Sequence, residues 1–170
     1  MLAQDIWTLS PYAAKQFVSS AKHFATSVNH TYTVSHPDEN GIATIGTRDF
    51  TDFSVTADLV FSLHRSGGLV MRSKGHRRYY SLLFEGYERL AIVMRRDDEI
   101  RVIGQVAFQY RPDTRYNVTF AAKGNHLVAT VDDMQLLSCF DEGETYSSGG
   151  CGVVVNAGTV YVHSFAITRC

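Results

Sequence analysis

The sequence predicts an all-β protein, two antiparallel sheets packed face to face as a jelly-roll sandwich, with room for one short N-terminal helix. Three observations carry that expectation. Apolar residues recur at period two in short runs, and turn residues break those runs about every 8–12 positions. About eleven or twelve such runs fit in the chain, too many for one flat sheet, so two sheets must pack against each other.

Residues 1–30 read as a lead-in to a single sandwich domain over residues 31–170. Within the lead-in, "PYAAKQFVSSAKHFA" (Pro11 to Ala25) fits a helix with Ser10 as N-cap, Pro11 at the first position and Ala14, Phe17, Val18 and Ala21 on one stripe; an irregular segment is the alternative. Asp38-Glu39-Asn40-Gly41 reads as a tight turn joining strands Thr31–Ser35 and Ile42–Gly46. "SVTADLVFSL" then puts Val55, Ala57, Leu59, Phe61 and Leu63 on one face. Turns at Ser66-Gly67-Gly68, Lys74-Gly75 and Gly86-Tyr87-Glu88 divide the following stretch into hairpin-linked strands at Leu69–Ser73, Tyr79–Glu85 and Leu90–Arg96. The rhythm continues through Ile100–Phe108, Tyr116–Ala122, His126–Val131, Gln135–Phe140, Gly152–Val155 and Val160–Ile167, with a turn expected at Ala157-Gly158.

A chain of 170 residues buries about 68–70% of its unfolded surface and needs no covalent staple. Its net charge of −1 supplies no global field for nucleic acid or an anionic membrane, and no window of about 18 apolar residues could span a bilayer. Cys139, Cys151 and Cys170 lack metal-ligand spacing and read as reduced thiols, a Cys139–Cys151 bridge remaining the alternative. The opening "MLAQDIWTLS" has no basic region ahead of a long apolar one, so the chain reads as cytoplasmic, the address of any parent protein being left open.

Catalytic signatures such as GxSxG, HExxH, GxxxxGK and GxGxxG are absent, and no two of the seven histidines stand at i+2 or i+4. No cofactor or metal is expected from the residues. The cations, by contrast, are concentrated. Arg65, Arg72, Lys74, Arg77, Arg78, Arg89, Arg95, Arg96 and Arg101 fall in one interval that holds only Glu85, Glu88, Asp97, Asp98 and Glu99 as acids. If Leu69 and Met71, Tyr80, Leu82 and Phe84, and Leu90, Ile92 and Met94 point inward, the pleat turns Arg72, Tyr79, Glu85 and Arg95 outward, with Asp58 expected on the same face. Small residues at Gly68, Ser81 and Ala91 would hollow that face, with His64, Arg77 and Arg78 at its rim. Tyrosine rings for stacking and fixed Arg and Glu groups for hydroxyls suit a sugar. A guanidinium fork also suits phosphate or carboxylate, and plain cross-strand pairing of Arg72 with Glu85 or Arg95 with Asp58 is the structural alternative. A hydrolase would instead need Asp58 and Glu85 to face one cleft.

The order of the stretches "DFTDFSVTADLVFSL", "GGLVMRS", "RRYYSLLFEGYERLAIVMR", "RYNVTFAAKGNHLVATVDDMQLLSC" and "GGCGVVVNAGTVYVHSFAI" resembles the concanavalin A-like, laminin-G-like jelly-roll domains, over about Asp49 to Ile167. The family's "VDG" turn is Val131-Asp132-Asp133 here, followed by Met134 in place of an aromatic. Within that superfamily the chain is most similar to the non-catalytic C-terminal module of bacterial ADP-ribosylglycohydrolase-type enzymes. The resemblance implies an accessory module that binds a carbohydrate or ribose-containing glycan beside a parent catalytic domain. It leaves open an interaction domain docked on its own enzyme, a glycoside hydrolase of the same superfamily, and a structural calcium as in its lectins.

Overall fold

Among the described residues, the first are three short extended segments, β1 (Ile6–Thr8), β2 (Val18–Ser19) and β3 (His23–Thr26), all paired with longer strands further along the chain. The structure is a computed structural model that describes residues 6–8, 18–19, 23–26, 32–46, 48–143 and 145–170. Ten further strands follow. They are β4 (Tyr32–Ile45), β5 (Phe53–Ser62), β6 (Ser66–Gly75), β7 (Arg78–Glu85), β8 (Arg89–Arg96), β9 (Glu99–Ala107), β10 (Arg115–Lys123), β11 (His126–Val131), β12 (Met134–Phe140) and β13 (Gly150–Arg169).

Every pairing is antiparallel, and β13 serves both sheets. Its second half, Thr159–Arg169, pairs with β5, which continues through β10 and β11 to β12. Its first half, Gly150–Asn156, pairs with β6, which continues through β7 and β8 to β9. The strand changes sheets at a bulge between Asn156 and Gly158, where Ala157 takes φ 49°. A bulge of this kind bends a strand and re-aims its side chains without reversing it.

This crossing corrects two expectations. The Asp38–Gly41 stretch is not a turn between two strands, and Ala157-Gly158 is not a turn either. β4 runs unbroken beside β13, pairing with Gly158–Val162 in one sheet and with Cys151–Asn156 in the other, so both strands bend together. Residues rich in Asp, Asn and Gly supply the bend in β4, and the backbone amides of Asp38 and Glu39 donate to Nδ1 of His36 there. The expected helix is corrected as well. Val18–Ser19 and His23–Ala25 are extended and give their backbone groups to β4, and the rest of that stretch lies outside the described residues.

The core lies between the inner faces. Phe53, Val55, Ala57, Leu59 and Phe61 of β5 meet Leu69, Met71, Tyr80, Leu82, Phe84, Leu90, Ile92 and Met94 from the other sheet. The alternation therefore places these residues as the pleat predicts. Leu63 departs from it, being 83% exposed at φ 45°, because the chain has already entered the turn after β5. At the hairpin between β11 and β12, Asp132 and Asp133 take φ 48° and 65°. Positive φ at both central positions is what a tight twisted hairpin turn requires, and aspartate tolerates it better than most residues. The Asp132 carboxylate also accepts from the Asn117 amide at 2.8 Å.

Candidate functional site

The outer face of the sheet formed by β6, β7, β8 and β9 carries the candidate site. Register puts Tyr79 opposite Arg95, Ser81 opposite Val93, Leu83 opposite Ala91 and Glu85 opposite Arg89. On the other side, Val70 opposes Ser81, Gly68 opposes Leu83 and Ser66 opposes Glu85. These are the outward residues. Tyr79, Val70, Val154 and Ile42 form a small apolar cluster separate from the main core, with Leu83 packed against it.

One end of this face is a polar row running across the strands. Asn40 faces Asn156, Asn156 faces Ser66, Ser66 faces Glu85 and Glu85 faces Arg89. Asn156 donates to Asn40 at 2.9 Å, Arg89 donates to Glu85 through Nε at 2.9 Å, and Arg89 Nη1 reaches Gln105 at 2.8 Å. Across the apolar floor, a groove of about 620 Å³ runs from Asn40 and Asn156 over Ile42 to His76, Arg77, Arg95 and Asp98, with Asp38 and Glu39 as a further wall. A smaller hollow of about 480 Å³ lies between Ser66, Glu85 and Arg89, next to Arg65, Gly86 and Glu88. Groove volumes of this size are in the range of about 300–1,000 Å³ that holds small ligands.

Three of the residues expected on one face are brought together there. Tyr79, Glu85 and Arg95 share the outer face, with Arg77 at its rim. Tyr79 is only 3% exposed, however, so its ring is floor rather than a stacking platform. Burial raises its phenol pKa, opposed by a hydrogen bond to Arg95. Arg95 Nε donates to the Asp97 carbonyl at 3.0 Å, which holds the guanidinium against the groove wall. Arg77 pairs with Asp98, and Arg78, at the start of β7, pairs with Asp97 at 2.9 Å.

Arg72, Asp58 and His64 lie elsewhere. A bulge between Met71 and Gly75 breaks the alternation of β6, and Arg72, at φ 52°, turns inward to become 1% exposed. Its Nε donates to the Thr51 carbonyl at 3.0 Å. Nη1 donates to the carbonyls of Gly124 at 2.6 Å and Tyr146 at 3.0 Å, and Nη2 donates to Asp52 at 3.0 Å. Burial lowers its pKa, and the Asp52 charge opposes that shift. Asp58 sits on β5, on the outer face of the opposite sheet, accepting from Asn117 Nδ2 at 2.8 Å. Asp58 and Glu85 therefore face away from each other across the sandwich, and the two-carboxylate cleft of a hydrolase is not formed by them. His64 is buried, stacked on Phe61 with ring centroids 4.6 Å apart.

Sequence reasoning missed Asp38, Glu39, Asn40 and Asn156. The first three belong to the stretch expected as a turn, and Asn40 meets Asn156, 116 residues away in the chain, only because their two strands cross sheets together. No local spacing signals that meeting. Among the described residues no group of three or more His, Cys, Asp or Glu side chains gathers to hold a metal ion. The three cysteines are free thiols, so the Cys139–Cys151 bridge is not formed; Cys151 is sealed in the core, where burial pushes its thiol pKa up.

The sequence matches no family model, and no curated protein matches it significantly. Its fold does have counterparts among solved structures. The chain is similar to carbohydrate binding module CBM66 from Bacillus subtilis, with a TM-score of 0.77 and 15% identity over 88% of this chain and 94% of that one. It is also similar to a Bacillus subtilis protein of unknown function with a galectin-like fold, with a TM-score of 0.76 and 15% identity over 96% and 94% of the two chains. A third likeness is to the exoplasmic/lumenal domain of VIP36 in its Ca²⁺/Man3GlcNAc-bound form, with a TM-score of 0.67 and 10% identity over 96% and 88%. The fold is thus an all-β, galectin-like jelly-roll sandwich. At these identities the likeness concerns architecture.

Proposed function

We propose that this domain is a non-catalytic carbohydrate-binding module whose ligand lies on the outer face of the β6–β9 sheet. The groove from Asn40 and Asn156 to His76 and Arg95 carries the reading: side-chain amides, carboxylates and a fixed guanidinium stand around a floor that is apolar at Ile42. Sugars present both hydroxyls and apolar ring faces, and this combination answers both. The names of two structures of like fold, a carbohydrate binding module and a lumenal domain bound to Man3GlcNAc, support the same reading.

The finer proposal, an accessory module of a larger glycohydrolase of the ADP-ribosylglycohydrolase type, rests on the sequence resemblance alone. Such a module would hold glycan near the catalytic domain and raise its local concentration. Docking of a basic face onto that enzyme is the weaker reading. Arg72, Arg77, Arg78, Arg89 and Arg101 each have a carboxylate partner, which removes most of the charge that would drive it.

A glycan array followed by calorimetry tests the proposal. Arg95→Ala and Asn156→Ala should each weaken binding of the best glycan about 10-fold or more, as expected for loss of one well-formed polar contact, with thermal unfolding little changed. Unaltered affinity in both variants would move the site off this face, and a wild-type domain that retains no glycan would end the carbohydrate reading.

A further inference from the structure

The turn that supplies Arg65 and Ser66 to the smaller hollow also holds a histidine that the binding proposal does not use. His64 is 7% exposed in the turn between β5 and β6. Its ring stacks on Phe61 and meets the edges of Tyr87 and Tyr110 at 5.0 and 5.6 Å between centroids. Nε2 lies 3.0 Å from the Tyr110 hydroxyl, the Tyr87 hydroxyl accepts from the His64 amide, and Nδ1 has no hydrogen-bond partner. Gly158 of β13 packs directly on this turn, where a Cβ on it would lie 2.4 Å from the His64 Cα.

The same imidazole stands where four segments join. The Arg65 amide donates to the Asn156 carbonyl at 3.0 Å, the Gly86 amide to the Arg65 carbonyl at 3.1 Å, and the Tyr110 amide to the Tyr87 carbonyl at 3.2 Å. These bonds tie the turn after β5, the turn after β7, the stretch between β9 and β10 and the sheet-crossing of β13 into one end of the sandwich. The residues flanking His64 and Tyr87, namely Arg65, Ser66, Glu85, Gly86, Glu88 and Arg89, are those that line the hollow.

We propose that His64 is a pH-operated latch: neutral, it holds this end of the sandwich closed, and protonated, it opens the hollow and the Asn156 end of the groove beside it. A charged imidazole there would be desolvated between three aromatic rings, a cost that the Phe84 backbone offsets only in part. The titratable groups facing it are the phenols of Tyr87 and Tyr110, with Phe61 from β5, Gly67 from β6, Phe84 from β7 and Gly158 from β13 around the rest of the ring. Glu85 is near enough to act on Tyr110, but its carboxylate is engaged by Arg89. Burial accordingly pulls the His64 pKa down to about 4, the backbone of Phe84 opposing that shift. The neutral form therefore belongs to the closed state, and acid favours the open one.

Hydrogen exchange on the free domain tests the latch without any ligand. Corrected for intrinsic rates, protection of the Arg65, Gly86 and Tyr110 amides should fall about 20-fold between pH 7 and pH 5, from an open-state pKa near 6.5 against about 4 when closed. The Asp141 and Gly149 amides, bonded to Asn125 and Phe50 at the far end, should keep theirs. In His64→Phe, or in His64→Gln should the first not fold at pH 7, the acid-induced loss should vanish. An imidazole NMR titration in the wild type, expected to show a pKa well below 6.5, needs no variant. Unchanged protection, a loss shared equally by the far-end amides, or a normal imidazole pKa would each overturn the latch. None of these outcomes bears on whether the groove binds glycan.

Discussion

Replacing Arg72 by alanine separates a structural role for this residue from a ligand role. The guanidinium ties four segments at one end of the sandwich: Thr51 and Asp52 ahead of β5, the Gly124 turn, the Tyr146 segment and β6 itself. Removing it strands three backbone carbonyls in a closed site and leaves Asp52 without its cation. Deleting one partner of a buried ion pair costs about 3–5 kcal/mol, and each buried acceptor left unpaired costs about 1–3 kcal/mol. Asp52 is 42% exposed and regains water, which returns part of that loss. We therefore expect a net loss of about 3–5 kcal/mol, a large share of the roughly 5–15 kcal/mol of a typical domain. Urea unfolding should show a lower midpoint at unchanged slope, and thermal unfolding should fall by roughly 6–20 °C at about 2–4 °C per kcal/mol for a chain of this size. Arg72→Lys should recover less than half, since one ammonium cannot satisfy a fork of acceptors. A loss below about 1 kcal/mol, with glycan affinity reduced, would refute the reasoning and return Arg72 to the binding surface.

Further outcomes follow from the same geometry. Asp58→Asn should leave glycan affinity within about two-fold of wild type and cost under about 1 kcal/mol, because Asp58 and its partner Asn117 stand side by side on β5 and β10, in the sheet away from the groove, and Asp58 is only partly buried; calorimetry and urea unfolding read both. Gly68→Ala places a Cβ 1.8 Å from the Leu82 carbonyl oxygen, so the β6–β7 pairing must shift, and a destabilisation of roughly 2–3 kcal/mol is expected in the same unfolding assay. Burial works to raise the Asp141 pKa, yet hydrogen bonds from Arg101, Tyr80 and the Gly143 amide leave it below the ordinary value. Its contribution is therefore complete above the unfolded carboxylate pKa of about 3.9 and disappears as pH falls through the lower folded value. Wild-type and Asp141→Asn stabilities should accordingly converge below about pH 4.

The fold was legible because its signal is local. Along β5, β7 and β8, alternate side chains divide between core and outer face in the residues of the strand itself, and the packing of Val55, Leu59, Leu82 and Ile92 follows from that period. The same rule places Tyr79, Glu85 and Arg95 on one face, but the partner expected for Glu85, Arg72, is replaced by Arg89, and Arg95 stands opposite Tyr79 rather than near Asp58. It failed at Arg72, where a bulge changes the parity of one strand, and at Asp58, where the pleat says outward but cannot say on which sheet.

The sequence alone determined the class of architecture, the lengths of most strands and which residues make the core, since period-two burial is decided by each strand's own side chains. Only the tertiary structure decided that β4 and β13 cross between sheets side by side, that Asn40 meets Asn156, and that Arg72 is sealed inside while Arg95 borders the groove. The reason is physical: such meetings depend on which strands become neighbours and where a bulge shifts their register, and the free energy that selects those neighbours comes from contacts between residues far apart in the chain.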